Sequence, residues 1–338
     1  MSGDDLFAQA AETGVHRLSI PTPFAVGRVN VYLIEDEPLT LVDAGPNSGT
    51  SLDELQRGLA DLGHAIEDIR LVVLTHHHMD HLGLVSFVAG RSGAEVAAID
   101  AAVPIVENYS EEATLEDEFA HRLMLRHGIP DEVAQALRTV SQAFRAWGAQ
   151  TKVDRVLRDG QTLELRDRAF AVSLRPGHSC SDTLFHDEDR RMLLAADHLL
   201  EHISSNALVS RPRDGGQERP QSLVIYLESL RKTHEMDVDV VLPGHGNPIT
   251  DHRALIDKRL TLHGRRAEKL RRLVAERPRT AYELAQAQWG NIAVTQAYLT
   301  LSEVLGHMDL LLNEGRVREV EHDGVVRFEA SNGGAGPG

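Results

Sequence analysis

Imidazoles and a carboxylate crowd into six residues, His76-His77-His78-Met79-Asp80-His81, directly after the apolar run Leu71 to Leu74. In an extended segment leaving a strand, alternate side chains share a face. His76 and His78 therefore converge on one ion while Asp80 and His81 turn toward a second. Neutral imidazole with carboxylate suits zinc, iron or manganese. The lack of thiolates argues against a closed structural zinc site and for an open coordination position. Six residues cannot close two sites, so the pattern demands further ligand-type side chains at strand ends. The chain supplies three. His178 lies in Arg175-Pro176-Gly177-His178-Ser179 after the alternating Phe170, Val172 and Leu174; Asp197 follows Met192 to Ala196; His245 lies in Pro243-Gly244-His245-Gly246 after Val238 to Leu242. Each reads as a strand and then a turn.

The ordered set His76-x-His78-x-Asp80-His81, His178, Asp197 and His245 resembles the metallo-β-lactamase superfamily over roughly residues 15 to 250. That resemblance implies an α/β fold, a four-layer αββα sandwich. It also implies a binuclear centre in which His76, His78 and His178 hold one ion, Asp80, His81 and His245 hold the other, and Asp197 bridges them. The implied cofactors are two divalent transition-metal ions, zinc first, with iron or manganese as alternatives. Hydrolysis by a metal-bridging hydroxide follows from such a pair, and the resemblance makes Asp80 the catalytic residue that orients the hydroxide and carries a proton to the leaving group. His77 points away from its neighbours in an extended segment and is expected to support rather than ligate, as is His198. The β-lactam-hydrolysing branch has a Cys ligand where this chain has Asp197, and the single thiol, Cys180, stands elsewhere. Antibiotic hydrolysis is therefore not the expected reaction.

With 338 residues and 42% hydrophobic content the chain can build a sizeable core and more than one domain. No apolar run approaches the roughly 18 residues of a membrane helix, and the first residues lack the basic and apolar regions of a signal peptide. A single Cys excludes an internal disulfide. A cytoplasmic location is the expectation. The net charge of −16 disfavours broad nucleic-acid binding. Locally, however, Arg253 to Arg279 carries ten Lys or Arg against three acidic residues, a balance of +7.

Around the motif, a hairpin is expected from Val29 to Ile34 and Leu39 to Val42, with a helix opening at the capping box Ser51-x-x-Glu54. Residues 101–150 depart from strand patterning: Leu115, Phe119 and Leu123, then Val133, Leu137, Val140, Phe144 and Trp147, recur at helical spacing. This helical insertion is expected to shape a substrate pocket or a homodimer contact, and Leu199 to Ile203 is a second candidate pocket wall. Beyond Thr250 a long helix has the stripe Ile256, Leu260, His263, Ala267, Leu270 and Val274. A helix capped by Thr280-x-x-Glu283, a third helix through Leu301 to Leu311, and a hairpin across Asp323-Gly324 follow. These divide the chain into a catalytic domain over 1–250, a winged-helix-like domain over 251–330 and a flexible tail over 331–338. The arrangement resembles the winged-helix-bearing branch of the superfamily, which includes a β-lactamase-like endoribonuclease, and more broadly the glyoxalase II-like hydrolases. The expected substrate is a small carboxylic ester, lactone or thioester. An endoribonuclease or phosphodiesterase is the enzymatic alternative, and a non-enzymatic nucleic-acid-binding or regulatory protein the other.

Overall fold

The computed structural model describes residues 2–213, 216 and 218–331; of the Gly-rich tail, all but Ser331 lies outside the described residues. The chain forms two compact units. One combines Met1–Glu112, Phe144–Ser205 and Ser229–Leu255, and the other combines Ala113–Ala143, Asn206–Glu228 and Ile256–Gly338.

Two sheets make up the first unit. Strands β1 (Val15–Ile20), β2 (Val29–Ile34), β3 (Thr40–Val42), β4 (Leu71–Val73), β5 (Glu95–Ile99) and β6 (Arg155–Leu157) lie side by side in chain order. The first three are antiparallel and the last four parallel. Strands β7 (Thr162–Glu164), β8 (Ala169–Leu174), β9 (Thr183–Asp187), β10 (Met192–Ala196) and β11 (Val240–Pro243) form the second sheet, in the order β11-β10-β9-β8-β7. β10 and β11 run parallel and the rest antiparallel. All six residues of β2 are buried, as a strand covered on both faces requires. Val31, Leu33, Leu41 and Val72 from one sheet share a single core with Phe170, Val172, Phe185 and Leu194 from the other. This is the mixed α/β sandwich that the sequence implied.

The helix after β3 runs Gly49–Asp61, and its cap is not the expected one. Ser48 accepts from the Ser51 amide, whereas Glu54 bonds Arg28 and Arg57. Leu55 and Leu59 still face the core.

The second unit has its own core. Leu123, Met124, Ile129 and Ala134 pack with Val209 and with Ala267, Leu270, Leu284, Leu301, Val304 and Met308. Residues 113–143 and 206–228, assigned from sequence to the first 250 residues, thus cluster with the C-terminal segment. An amphipathic stripe announces a buried face without naming what buries it. The unit's helices include Tyr109–Arg126, Asp131–Phe144, His252–Glu276, Ala281–Trp289, Ile292–Thr295 and Ala297–Asn313. Thr280 and Glu283 exchange both bonds of a capping box at 3.1 and 2.8 Å. The strands β12 (Val317–His322) and β13 (Val325–Ala330) close as a hairpin. Its two-residue turn, Asp323 and Gly324, has φ of 51° and 77°, the doubly positive turn that matches strand twist.

Candidate metal centre

The motif leaves β4 through Thr75, whose amide and hydroxyl donate to Oδ1 and Oδ2 of Asp43 at 2.9 and 2.7 Å. His76 and His78 follow. His78 then acts as N-cap residue of a single helical turn, Met79–Leu82, which directs Asp80 and His81 inward. The other three side chains come from the ends of second-sheet strands. His178 follows β8 and His245 follows β11. Asp197 follows β10, where the register shifts between Leu194 and Ala196 and φ of Ala196 is 41°. Such an irregularity re-aims the next side chain.

All seven side chains meet. His76 Nε2 is 3.1 Å from His78 Nδ1, and His178 Nε2 is 2.9 Å from that same nitrogen. His245 Nε2 stands 3.4 Å from Asp80 Oδ2 and 3.5 Å from Asp197 Oδ2. Asp197 also lies 3.5 Å from His81 Nε2 and 3.6 Å from His178 Nε2. Three overlapping groups result: His76, His78 and His178; His76, His81 and Asp197; Asp80, His81 and His245. Within each, the donor atoms lie within 4.8 Å of one another. Asp197 sits between the two outer sets.

Hydrogen bonds at the back of the rings fix which nitrogen faces in. His245 Nδ1 lies 2.8 Å from the Arg28 carbonyl, which can only accept. Nδ1 carries the proton and Nε2 points to the centre. His81 Nδ1 lies 2.7 Å from Asp43 Oδ2, with the same consequence. Thr75 Oγ1 donates to Asp43, so His76 Nδ1, 3.1 Å from that oxygen, donates to it. The carbonyl behind His245 and the carboxylate behind His81 are how metal-ligating histidines are oriented; His76 is backed by the Thr75 hydroxyl. Asp43 was not singled out from sequence as a site residue. It holds φ of 61°, an uncommon conformation for a residue other than glycine, at the end of β3.

Two further features test whether ions fit. His81 Nε2, His245 Nε2 and Asp197 Oδ1 are buried and make no hydrogen bond with any described residue, a costly condition unless an electrophile completes them. A Cβ on Gly244 would come within 2.3 Å of Asp197 Oδ1 and 2.9 Å of His81 Cε1, so the β11 turn approaches the cluster closer than any side chain permits. The residues therefore fit a pair of cations. Electrostatics agree. Burial opposes a proton on His81 and on His245, yet Asp43, Asp197 and Asp80 push His81 well above the usual imidazole range, and Asp197 and Asp80 raise His245. His76 and His78 are driven down by burial and by neighbouring imidazoles. Burial opposes charge on Asp197, but His245, His81 and His178 hold its carboxyl below its ordinary range. His81 and His245 thus favour a positive charge beside Asp197 and Asp80, where a cation would displace the proton.

His77 and His198 stand outside these groups. His77 Nδ1 bonds Ser181 Oγ at 2.7 Å, and buried His198 bonds Thr233 Oγ1 at 2.9 Å. Of the candidate wall, Leu199 and Leu200 are buried and Ile203 is exposed. Among the described residues no helix is long and apolar enough to cross a membrane.

Residues 25–245 match the metallo-beta-lactamase superfamily. A probable metallo-hydrolase of Bacillus subtilis, YqjP, is 34% identical over 313 residues, which is 92% of this chain and 96% of that protein. The chain belongs to the metallo-beta-lactamase superfamily, as one of its metallo-hydrolases. A crystal structure of a metallo-beta-lactamase family protein from Thermus thermophilus is 29% identical, with a TM-score of 0.78 and 94% and 99% of the two chains covered. The acyl-coenzyme A thioesterase MBLAC2 of Gallus gallus is 29% identical over 232 residues, 65% of this chain and 73% of that one.

Proposed function

We propose that this protein hydrolyses a carboxylic ester or thioester, an acyl-coenzyme A thioester or a lactone foremost. The centre would be held by His76, His78 and His178 on one side, by Asp80, His81 and His245 on the other, and by Asp197 between them. What carries the reading is the set of buried atoms without a hydrogen bond among the described residues, Nε2 of His81 and His245 and Oδ1 of Asp197, gathered with the other donor atoms of the cluster. Zinc is the proposed metal, because imidazole and carboxylate without thiolate suit an open catalytic zinc site. When bound, a pair of divalent cations supplies water acidified to a pKa of about 7 and a Lewis acid for the attacked oxygen.

The remaining work falls to the protein. Asp80, its Oδ2 3.4 Å from His245 Nε2, is the carboxylate placed to take a proton from the attacking water and pass it to the leaving group. Asp43 orients His81 and Thr75 together. Asn30 Nδ2 and Tyr32 Oη donate to the Pro243 carbonyl at 3.0 and 2.7 Å, steadying the turn that presents His245. The likeness to an acyl-coenzyme A thioesterase supports a thioester over a phosphodiester.

We read the C-terminal helices and hairpin as a winged-helix-like domain that packs rather than binds RNA. Arg266 pairs with Glu303, Arg271 and Arg272 with Glu268, Arg277 with Glu283 and Arg279 with Glu276. Five of the ten basic side chains between Arg253 and Arg279 are thus engaged by glutamates of this unit. The deciding experiment is turnover by zinc-loaded protein on an acyl-coenzyme A, a lactone and a phosphodiester reporter. Acyl cleavage that dominates and vanishes on chelation supports the proposal; cleavage of the phosphodiester alone would replace it with the nuclease reading.

A further inference from the structure

We infer that the second unit carries a metal site of its own, formed by His263, Glu303 and His307, which takes a divalent zinc-type cation as a clamp between two helices. His263 projects from the helix His252–Glu276. Glu303 and His307 lie one turn apart on the helix Ala297–Asn313, where side chains four residues apart share a face. The donor atoms of the three lie within 4.8 Å of one another. None belongs to the centre described above, and the inference does not depend on that centre's function.

Three observations carry it. First, the spacing suits an ion. Nitrogens bound at about 2.0–2.1 Å in tetrahedral geometry stand about 3.3 Å apart. His263 Nδ1 and His307 Nε2 are 3.2 Å apart, close to the 3.1 and 2.9 Å found among His76, His78 and His178. Second, His307 is held with the right nitrogen inward. Its Nδ1 lies 2.6 Å from the Glu303 carbonyl, an acceptor only, so Nδ1 is protonated and the Nε2 lone pair faces His263. This is the backing that ligating histidines receive. Third, the positions are ones that packing alone would fill with hydrocarbon. His263 is 1% and His307 0% exposed, on the two helices that also supply Leu270, Leu301, Val304 and Met308 to the apolar core of the unit.

Both imidazoles are ready to ligate at neutral pH. Burial, His307 and the nearby Arg266 and Arg259 take His263 down to about 3, and burial leads the lowering at His307. The rings are uncharged, and an ion would displace the one hydrogen between them, His263 carrying its proton on Nε2 instead. Glu303 accepts from Arg266 through Oε1, and a carboxylate retains further lone pairs for a cation. With two nitrogens and one oxygen, a fourth position remains for water, the N/O donor set of zinc.

The test is zinc content of the full chain after dialysis against a weak chelator, read for wild type, His263→Gln, His307→Ala and Asp197→Ala. His263→Gln and His307→Ala are expected to retain one ion fewer than wild type while keeping hydrolytic turnover, and zinc should raise Tm in Asp197→Ala but less in Asp197→Ala combined with His263→Gln. Equal metal content in wild type and His263→Gln would reduce the trio to a hydrogen-bonded histidine pair and overturn the inference. If both substitutions prevent folding, crystals of wild type decide: anomalous density between the His263 and His307 rings supports the site, and its absence after a zinc soak rejects it. Loss of the catalytic ions alone would leave this readout intact.

Discussion

At the scale of residues, the proposed centre rests on few atoms, and each has a separable role. Asp197 reaches both outer sets of imidazoles, so Asp197→Ala is expected to lose metal from the catalytic cluster and essentially all turnover. His77 bonds Ser181 instead of joining the cluster, so His77→Ala should retain the ions. Elemental analysis with an activity assay distinguishes the two, and identical behaviour would refute the assignment. Asp43 acts through His81. Removing such a backing carboxylate typically lowers metal affinity by about 10–100-fold, and Asp43→Asn should do so with the fold intact by circular dichroism. Gly244→Ala forces a methyl against Asp197 and His81 and should abolish activity although every proposed ligand is still present.

Elements decide which residues reach the site, and here the sequence was legible unevenly. The seven side chains that the structure gathers could be picked out because each follows an apolar run, and a ligand-type residue at a strand end is a local signal. Asp43 gave only a weak one. Its meaning depends on Thr75 and His81, 32 and 38 positions away, and on a backbone conformation that no spacing announces. The Thr280 box is readable because Glu283 returns its bond to the Thr280 amide, whereas Glu54 turns to Arg28 and Arg57 and Ser48 provides the cap that the pattern places at Ser51. His263 read as one more member of an apolar stripe; only the crossing helix reveals His307 beside it. The strands themselves depend on their common core. Phe185 is 1% exposed between the sheets, and Phe185→Ala should destabilise the unit by about 3–5 kcal/mol, measurable as a lowered denaturation midpoint. A loss under about 1 kcal/mol would mean that the core is looser than its burial indicates.

For the whole molecule, sequence periodicity marked the helical insertion but not its allegiance. Leu123, Met124 and Ala134 are buried in the C-terminal core and Phe119, Val133 and Leu137 pack partly against it, while Leu115 and Val140 stay exposed, a choice made by long-range packing. Charge argues at the same scale. A net −16 and the internal pairing of the basic helix predict weak RNA binding. RNA held by four phosphate contacts would show a salt slope near about −3, at roughly −0.7 per contact. Titration at two salt concentrations checks this, and tight binding lost on changing Arg265, Arg266, Arg271 and Arg272 to Ala would favour the nuclease alternative. The central claim, a pair of metal ions serving hydrolysis, has one direct test: anomalous diffraction from crystals of catalytically active protein. Two peaks about 3.5–4 Å apart, one bordered by His76, His78 and His178, the other by Asp80, His81 and His245, with Asp197 between, are predicted. Active protein with no metal density at that position would contradict the account.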